Sequence, residues 1–281
     1  MQINRLSGAK KLGYRITGVK DRYTDLKMLV AGSRAPAILA VPSYVGKAVI
    51  RNIYFKLLKI DRDAFLMQRM LLGNRAGTIL DMGARIGETT AKYSRLFPGS
   101  TIYSFEPFPD SFQLLKRRFK ENDFIKPVNM AVANRQGKMK FYVNKDSGTS
   151  SLFPAVDDVE RWVKVKIIEN IDVIEVPVTT IDEFCKQQSI NDIQILKMDI
   201  QGGELLALEG AKGKLKNGSI SVIYTEVWFV KVYEGEALFN ELYSFLSGFG
   251  YKLFDIYNFE HDVKGQLKWA DAIFVSPLLK S

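Results

Sequence analysis

The segment Asp81-Met82-Gly83-Ala84-Arg85-Ile86-Gly87 constrains this chain most strongly, because it follows the β-branched run Thr78-Ile79-Leu80 and leads directly into a helical pattern. That order reads as a strand, a tight glycine turn and a helix N-terminus, the first unit of an open α/β sheet. Gly83 and Gly87 permit a sharp turn and a close approach of the backbone to a ligand. The unpaired N–H groups and the positive dipole end of the helix favour an anionic group there. Nineteen positions beyond Gly87, a second strand, Thr101-Ile102-Tyr103-Ser104-Phe105, ends in Glu106. A carboxylate at this place accepts two hydrogen bonds from vicinal ribose hydroxyls and repels a 2′-phosphate.

The loop does not suit a dinucleotide. A pyrophosphate requires a second glycine two positions after the first, where this chain has Arg85. A cofactor without pyrophosphate fits better, and S-adenosylmethionine, with adenosine at one end and an amino-acid carboxylate at the other, meets that condition.

From Thr78 onward, short β runs and amphipathic helices alternate, as in a parallel sheet covered on both faces. Strands are expected over 78–81, 101–106, 128–131, 193–198, 219–227, 251–257 and 270–275, and helices over 86–96, 110–122, 181–187, 204–209 and 236–246. The last two strands are joined too tightly for a helical crossover and should pair antiparallel. Two further runs, 138–143 and 173–178, alternate at period two and suggest an inserted antiparallel element. The small polar loop Ser147-Gly148-Thr149-Ser150-Ser151 between them is either a lid or a plain connector.

Residues 1–75 are different in character. They carry seven Lys and eight Arg against four Asp and no Glu, a net +11, whereas the whole chain is +9. Apolar positions between Tyr44 and Leu72 recur at helical spacing and suggest two helices interrupted near Asp61. With a turn at 73–77, the expected organisation is a basic, mainly helical extension, 1–75, and a Rossmann-like domain, 76–281. The basic excess suits an acidic or lipid-linked acceptor or peripheral contact with an anionic membrane; it equally suits a solvated face. No nucleic-acid motif accompanies it. There is no apolar run of eighteen residues and no secretory signal pattern, so a cytoplasmic protein without a transmembrane span is expected. One cysteine, Cys185, and one histidine, His261, argue against disulfides and a transition-metal site. Cys185 lies at amphipathic helical spacing and reads as a packing thiol, and His261 falls in an expected surface loop.

The combination of 81–87, Phe105-Glu106-Pro107, Lys197-Met198-Asp199-Ile200-Gln201-Gly202-Gly203-Glu204, Glu209-Gly210-Ala211 and Trp269-Ala270-Asp271-Ala272-Ile273-Phe274-Val275 resembles the FkbM-type methyltransferases over roughly residues 76–276. The resemblance implies a class I, seven-stranded, mostly parallel Rossmann-like sheet with an antiparallel last strand. It also implies S-adenosylmethionine-dependent methylation, usually at a hydroxyl of a sugar, polyketide or related metabolite. The family commonly has Asn at the position of Arg85 and Glu at that of Gln201.

Methyl transfer to oxygen needs an aligned acceptor and a group to take its proton. Asp199, at the C-terminal edge of a central strand, is the first candidate for contact with the cofactor's methionine end or with the acceptor; a helix cap is its structural alternative. Glu226, at the end of the next strand, is the second candidate base. Lys197 must either reach the cleft or pair with a carboxylate. Glu204 would orient substrate or simply serve its helix dipole. Asp81, Gly83, Ala84, Arg85, Gly87, Glu106, Pro107 and Asp199 form the expected cofactor site, with Met130 and Ala131 beside the adenine by analogy of position. A nicotinamide oxidoreductase would call for a Tyr-x-x-x-Lys pair downstream of the loop, and the only such pair, Tyr23 and Lys27, lies upstream. A binding module that keeps the fold without catalysis is the other alternative.

Overall fold

The computed structural model describes residues 63–74 and 77–279. The basic segment ahead of Asp63, and with it the first expected helix of the extension, lies outside the described residues. Along the chain run α1 (Ala64–Leu72), β1 (Thr78–Met82), α2 (Glu88–Leu96), β2 (Thr101–Phe105), α3 (Pro109–Arg118), β3 (Ile125–Val128), β4 (Ala131–Val132) and β5 (Gly137–Asn144). They are followed by α4 (Val165–Ile168), β6 (Asn170–Thr179), α5 (Ile181–Gln187), β7 (Ile193–Met198), α6 (Glu204–Glu209), α7 (Lys212–Lys216), β8 (Ile220–Trp228), α8 (Phe239–Gly248), β9 (Lys252–His261) and β10 (Leu267–Val275).

Seven strands form one sheet in the order β3-β2-β1-β7-β8-β10-β9. Pairing is parallel from β3 through β8, and β10 runs antiparallel to both β8 and β9. This is the α/β class I methyltransferase topology expected from the sequence, with the strand order reversing between β1 and β7. Such a reversal opens a crevice at the carboxyl ends of the strands, where ligands bind in sheets of this kind.

Alternation along β1 sets the two layers. Leu80 and Met82 join the main core, with Leu196, Met198, Ile223 and Phe274 from neighbouring strands and Phe184, Leu208 and Leu246 from helices. Ile79 and Asp81 face the opposite layer, where Thr90 of α2 meets Asp81. On that side α1 packs into the domain: Phe65 lies 5.3 Å from the ring of Tyr93 and 5.5 Å from that of Tyr224, and the buried Gln68 accepts the Tyr93 hydroxyl at 2.9 Å. α1 starts at a good N-cap, since Asp63 Oδ1 accepts from Phe65 N and Leu66 N.

The inserted element is a separate sheet of order β4-β6-β5, antiparallel between β5 and β6 as expected, with β4 added in parallel. One expectation changes here: the strand read over 128–131 is two strands in two sheets. Asn129 causes the break, because its side-chain amide donates to the carbonyls of Glu106 and Pro107 and carries the chain over the end of β2. Pro127 is tolerated in β3 because that strand is an edge. The helix expected over 236–246 begins later, at Phe239. Glu236 is withdrawn from it, and its Oε2 accepts from the N–H groups of Val232 and Tyr233. Cys185 is fully buried in α5, and burial pushes its thiol up to about 11. His261 is exposed, but it ends β9 and does not lie in the surface loop expected for it.

Gly83 shows how tightly the turn is built. It has φ +73°, and a Cβ there would stand 1.9 Å from the carbonyl oxygen of Asp199. The glycine is therefore required by the neighbouring strand end, and Gly83→Ala must push β1 and β7 apart or unwind the turn. We expect this substitution to destabilise the protein by roughly 1–3 kcal/mol, the usual cost of a forced backbone conformation. A melting temperature within a degree of wild type would contradict the close approach.

Candidate active site

Beneath the turn lies a buried ion pair. Asp81 is fully buried; its Oδ2 accepts from Thr90 Oγ1 at 2.6 Å, and Thr90 Oγ1 is 2.9 Å from Ser104 Oγ. Lys197 Nζ stands 3.3 Å from Asp81 Oδ1 and 3.8 Å from Asp199 Oδ2, and donates to the carbonyls of Met82 and Gly83, both at 3.2 Å. Burial pushes the Lys197 ammonium down, but Asp81 and Asp199 outweigh it, and the group stays charged with its pKa above the ordinary lysine value. Lys197 thus resolves its two options by doing both: it pairs with a carboxylate and lines the cleft, tying β7 to the glycine turn. Removing one member of such a pair strands the other without water, at a cost of about 3–5 kcal/mol.

The turn itself is held from β2. Gly83 N and Ala84 N donate to the carbonyl of Phe105, at 3.1 and 2.8 Å. Arg85 adopts the left-handed conformation, φ +51°, that an asparagine would accept more readily. Two contacts hold it there: its N–H donates to Glu106 Oε2 at 2.8 Å, and its guanidinium Nη2 pairs with Asp146 Oδ1 at 2.8 Å. Gly87, φ +86°, lies outside the cavity. A Cβ there would meet Phe119 and Leu115 of the α3 region, so it serves close packing between the turn and that helix.

Glu106 is buried at the carboxyl end of β2. Its Oε1 accepts from Phe108 N at 2.8 Å and its Oε2 from Arg85 N at 2.8 Å, which fixes the carboxylate plane while leaving each oxygen a further lone pair. It borders a cavity of about 290 Å³. Gly83, Ala84, Arg85, Pro107, Met130 and Ala131 line the same cavity, together with Lys197, Asp199 and Glu226. Of the residues expected at the site, Asp81, Gly87 and Glu204 do not line it. Asp81 acts below it through Lys197. Sequence reasoning missed the apolar walls Phe105, Val132, Phe141 and Leu152, the last two from the inserted sheet and its following loop. Ser147, Gly148 and Ser150 also line the cavity, so the polar loop is more than a distant connector.

Burial pushes Glu106 up to about 7, against the lowering effect of the Phe108 and Arg85 N–H groups and of Lys197. The sign follows directly: the carboxylate form, the better acceptor for two hydroxyls, dominates above that pH and is lost below it. If ionised Glu106 is the binding form, nucleoside affinity should improve about tenfold between pH 6 and pH 8 and then level off. Calorimetric titration across that range checks it; a flat profile would remove Glu106 from the binding site.

Beside Lys197 the chain gathers an acidic cluster. Asp199 is half-exposed, and Gln201 Nε2 donates both to Asp199 Oδ1 at 2.9 Å and to Glu226 Oε2 at 3.2 Å. Gln201 itself is fixed in a left-handed conformation, φ +57°. Its Oε1 accepts from the Tyr233 hydroxyl at 2.9 Å, and its backbone carbonyl accepts from Ser151 Oγ at 2.6 Å. Burial, reinforced by Asp199 and Glu204, raises Glu226 well above the usual carboxylate range and favours its protonated form. Glu204 is buried under the cluster, where its Oε1 accepts from Ile200 N at 2.9 Å and burial pushes it up to about 7. Among the described residues no group of three or more His, Cys, Asp or Glu could hold a metal ion, and no helix is long and apolar enough to cross a membrane.

Comparison with known proteins bears on this geometry. The model of the methyltransferase FkbM domain matches residues 81–253, from the buried aspartate of the turn to β9. The 2-O-methyltransferase NoeI of Sinorhizobium fredii (strain NBRC 101917 / NGR234) is 23% identical over 180 residues, covering 61% of this chain and 71% of its own length. Two fungal proteins are 26% identical: Methyltransferase 1 of Beauveria bassiana (strain ARSEF 2860), over 148 residues, and Methyltransferase sdnD of Sordaria araneosa, over 153. Each alignment covers 47% of this chain, and 57% and 59% of the respective relative. The family match spans more than half of the chain and contains the turn, Glu106 and the Asp199–Glu226 cluster. On this ground the chain belongs to the FkbM methyltransferase family.

Proposed function

We propose that this methyltransferase transfers the methyl group of S-adenosylmethionine to a hydroxyl oxygen of a sugar, polyketide-type or related small metabolite. The observation that carries the reading is the placement of a half-exposed carboxylate, Asp199, between the Glu106 cradle and the Glu226 cluster, on one cavity. Glu106 would hold the ribose hydroxyls; Met130 and Ala131 would border the adenine, and Phe141 and Leu152 would wall the cavity. The turn at Gly83–Arg85 and the Lys197 ammonium would face the amino-acid end. Bound there, the cofactor would supply a sulfonium-activated methyl group for the acceptor oxygen, with a neutral thioether as the leaving group.

The chain's own residues then have three tasks. Asp199 takes the hydroxyl proton, with Gln201 holding one of its oxygens and leaving the other toward Lys197. Glu226, whose protonated form is favoured by burial and by Asp199, keeps a second negative charge away from Asp199. Gln201, pinned by Tyr233, fixes the distance between the two. The 2-O-methyltransferase activity in the name of one relative supports oxygen as the methylated atom.

Turnover of methyl-labelled S-adenosylmethionine with a panel of hydroxylated sugars and polyketide alcohols, followed by NMR of the product, tests the proposal. An O-methyl resonance is expected; label delivered only to nitrogen or carbon would overturn it.

A further inference from the structure

The polar stretch 146–151, which follows β5 and is built on one short helical turn, Ser147–Thr149, spans the cofactor cavity. Its Ser147, Gly148 and Ser150 line that cavity, and so do Arg85 of the glycine turn and Gln201 beyond β7. The stretch is bonded to Arg85 at one end and to Gln201 at the other, so it crosses from one wall to the next.

The two attachments differ in strength. At the Gln201 end, Ser151 N donates to the Tyr142 carbonyl at 3.1 Å, Tyr142 N donates back at 2.8 Å, and Ser151 Oγ donates to the Gln201 carbonyl at 2.6 Å. At the other end, Asp146 Oδ1 accepts from Arg85 Nη2 at 2.8 Å, and the two side chains are 41% and 46% exposed. An ion pair so open to water is weak and is screened by salt. Arg85 is nevertheless a costly residue to keep in the turn, since its φ of +51° suits asparagine or glycine better. What arginine adds is reach: its guanidinium passes over Gly148, where a Cβ would stand 3.3 Å from Cζ, to arrive at Asp146. The same Asp146 oxygen accepts from Gly148 N at 3.0 Å and shapes the turn it latches, while Asp146 N donates to the Ile167 carbonyl at 3.2 Å. This end therefore belongs to the inserted element and meets the glycine turn across a breakable contact.

The stretch also reaches the acidic cluster. The buried Tyr233 hydroxyl has two acceptors, the Thr149 carbonyl at 2.8 Å and Gln201 Oε1 at 2.9 Å, and Gln201 Nε2 in turn holds Asp199 and Glu226. One hydroxyl proton cannot serve both acceptors fully, so a shift of Thr149 changes the grip on Gln201. We propose that 146–151 is a strap that opens and shuts over the bound nucleoside, latched by Arg85 and Asp146, and that Tyr233 is a positioning residue through which the shut strap sets Gln201 against Asp199. Cofactor exchange then requires the latch to break, and the proton-accepting carboxylate is held in place when the strap is shut. The proposal rests on the methyltransferase reading above and adds to it a gate and the link from that gate to Asp199.

Surface plasmon resonance, with the full chain immobilised and S-adenosylhomocysteine as analyte, tests the latch. Asp146→Asn keeps the acceptor for Gly148 N and removes the charge that Arg85 meets. Association and dissociation rate constants should both rise at least about threefold, as for a broken surface ion pair, while the dissociation constant stays within about twofold. Raising sodium chloride from about 0.05 M to about 0.5 M should speed both rates in wild type and leave Asp146→Asn far less affected. Rates unchanged by the substitution, or dissociation alone accelerated, would overturn the gate. Hydrogen–deuterium exchange of the cofactor-free protein tests the link, with Tyr233→Phe keeping the ring that packs on Trp228. Asp146→Asn should hasten exchange in residues 146–151 and in 199–204, and with Tyr233→Phe also present its effect on 199–204 should disappear. Persistence of that effect would overturn the role given to Tyr233. Protein that binds S-adenosylhomocysteine at rates indifferent to Asp146 defeats the strap alone; protein that binds none defeats the donor reading, and this proposal with it.

Discussion

Glu106→Ala should raise the dissociation constant for S-adenosylmethionine at least about a hundredfold, because two hydroxyl hydrogen bonds to a charged acceptor are lost, each worth roughly 1.5–3 kcal/mol. Part of the loss is indirect. The same carboxylate fixes Arg85 N and Phe108 N, and without it the turn and the start of α3 lose their shared anchor. Glu106→Gln separates the two effects, since the amide keeps one acceptor and the side-chain shape. A loss of about tenfold is expected for it, and the improvement in affinity between pH 6 and pH 8 should vanish with the titrating group. Isothermal calorimetry reads both. If Glu106→Ala binds the cofactor as tightly as wild type, the carboxylate has only its structural role.

Asp199→Asn should lower kcat by about 10²–10⁴, the range expected when a positioned proton acceptor is removed. Affinity for S-adenosylmethionine should change by only a few fold, because Asn keeps the side-chain shape beside Gln201 and Lys197. Glu226→Gln is the informative partner. Burial and the neighbouring carboxylates favour the protonated form of Glu226, the form the amide copies, so activity should stay within about fivefold of wild type. Single-turnover kinetics with saturating cofactor compares the two. Equal damage from both substitutions, or greater damage from Glu226→Gln, would transfer the proton-accepting role to Glu226.

Much of this was legible in the sequence because the strands of a parallel sheet announce themselves. β7 and the helices α5 and α6 have the bounds that periodicity assigns, and the run from Thr78 through Gly87 folds as a strand, turn and helix entrance. Alternation of elements pointed to a parallel sheet and the short link between β9 and β10 to an antiparallel last pair, while the seven-stranded class I arrangement was what the family resemblance implied. What periodicity could not supply were events driven by single side chains. Asn129 breaks one apparent strand into two by bonding to carbonyls at the end of β2. Glu236, a good helix former, is taken from α8 by two backbone N–H groups of the preceding loop.

The site divides along the same line. Residues at the carboxyl ends of β1, β2, β7 and β8 could be placed because topology puts them at one edge. The reasons for some of them were different from those expected: Gly83 yields to the Asp199 carbonyl and Gly87 to Phe119, so protein packing alone demands both. Phe141 and Leu152 were not legible, since nothing local tells an inserted sheet which edge it folds over. The bulge that turns Asn258 onto Asp271 is not legible either, because it is a property of two strands together.

A crystal structure of the protein with S-adenosylhomocysteine tests the central claim most directly. The account predicts both ribose hydroxyls within hydrogen-bonding distance of the Glu106 carboxylate, with the amino-acid end beside Gly83–Arg85. A nucleoside seated elsewhere, or a Glu106 whose oxygens meet only Arg85 and Phe108 in the complex, would contradict it.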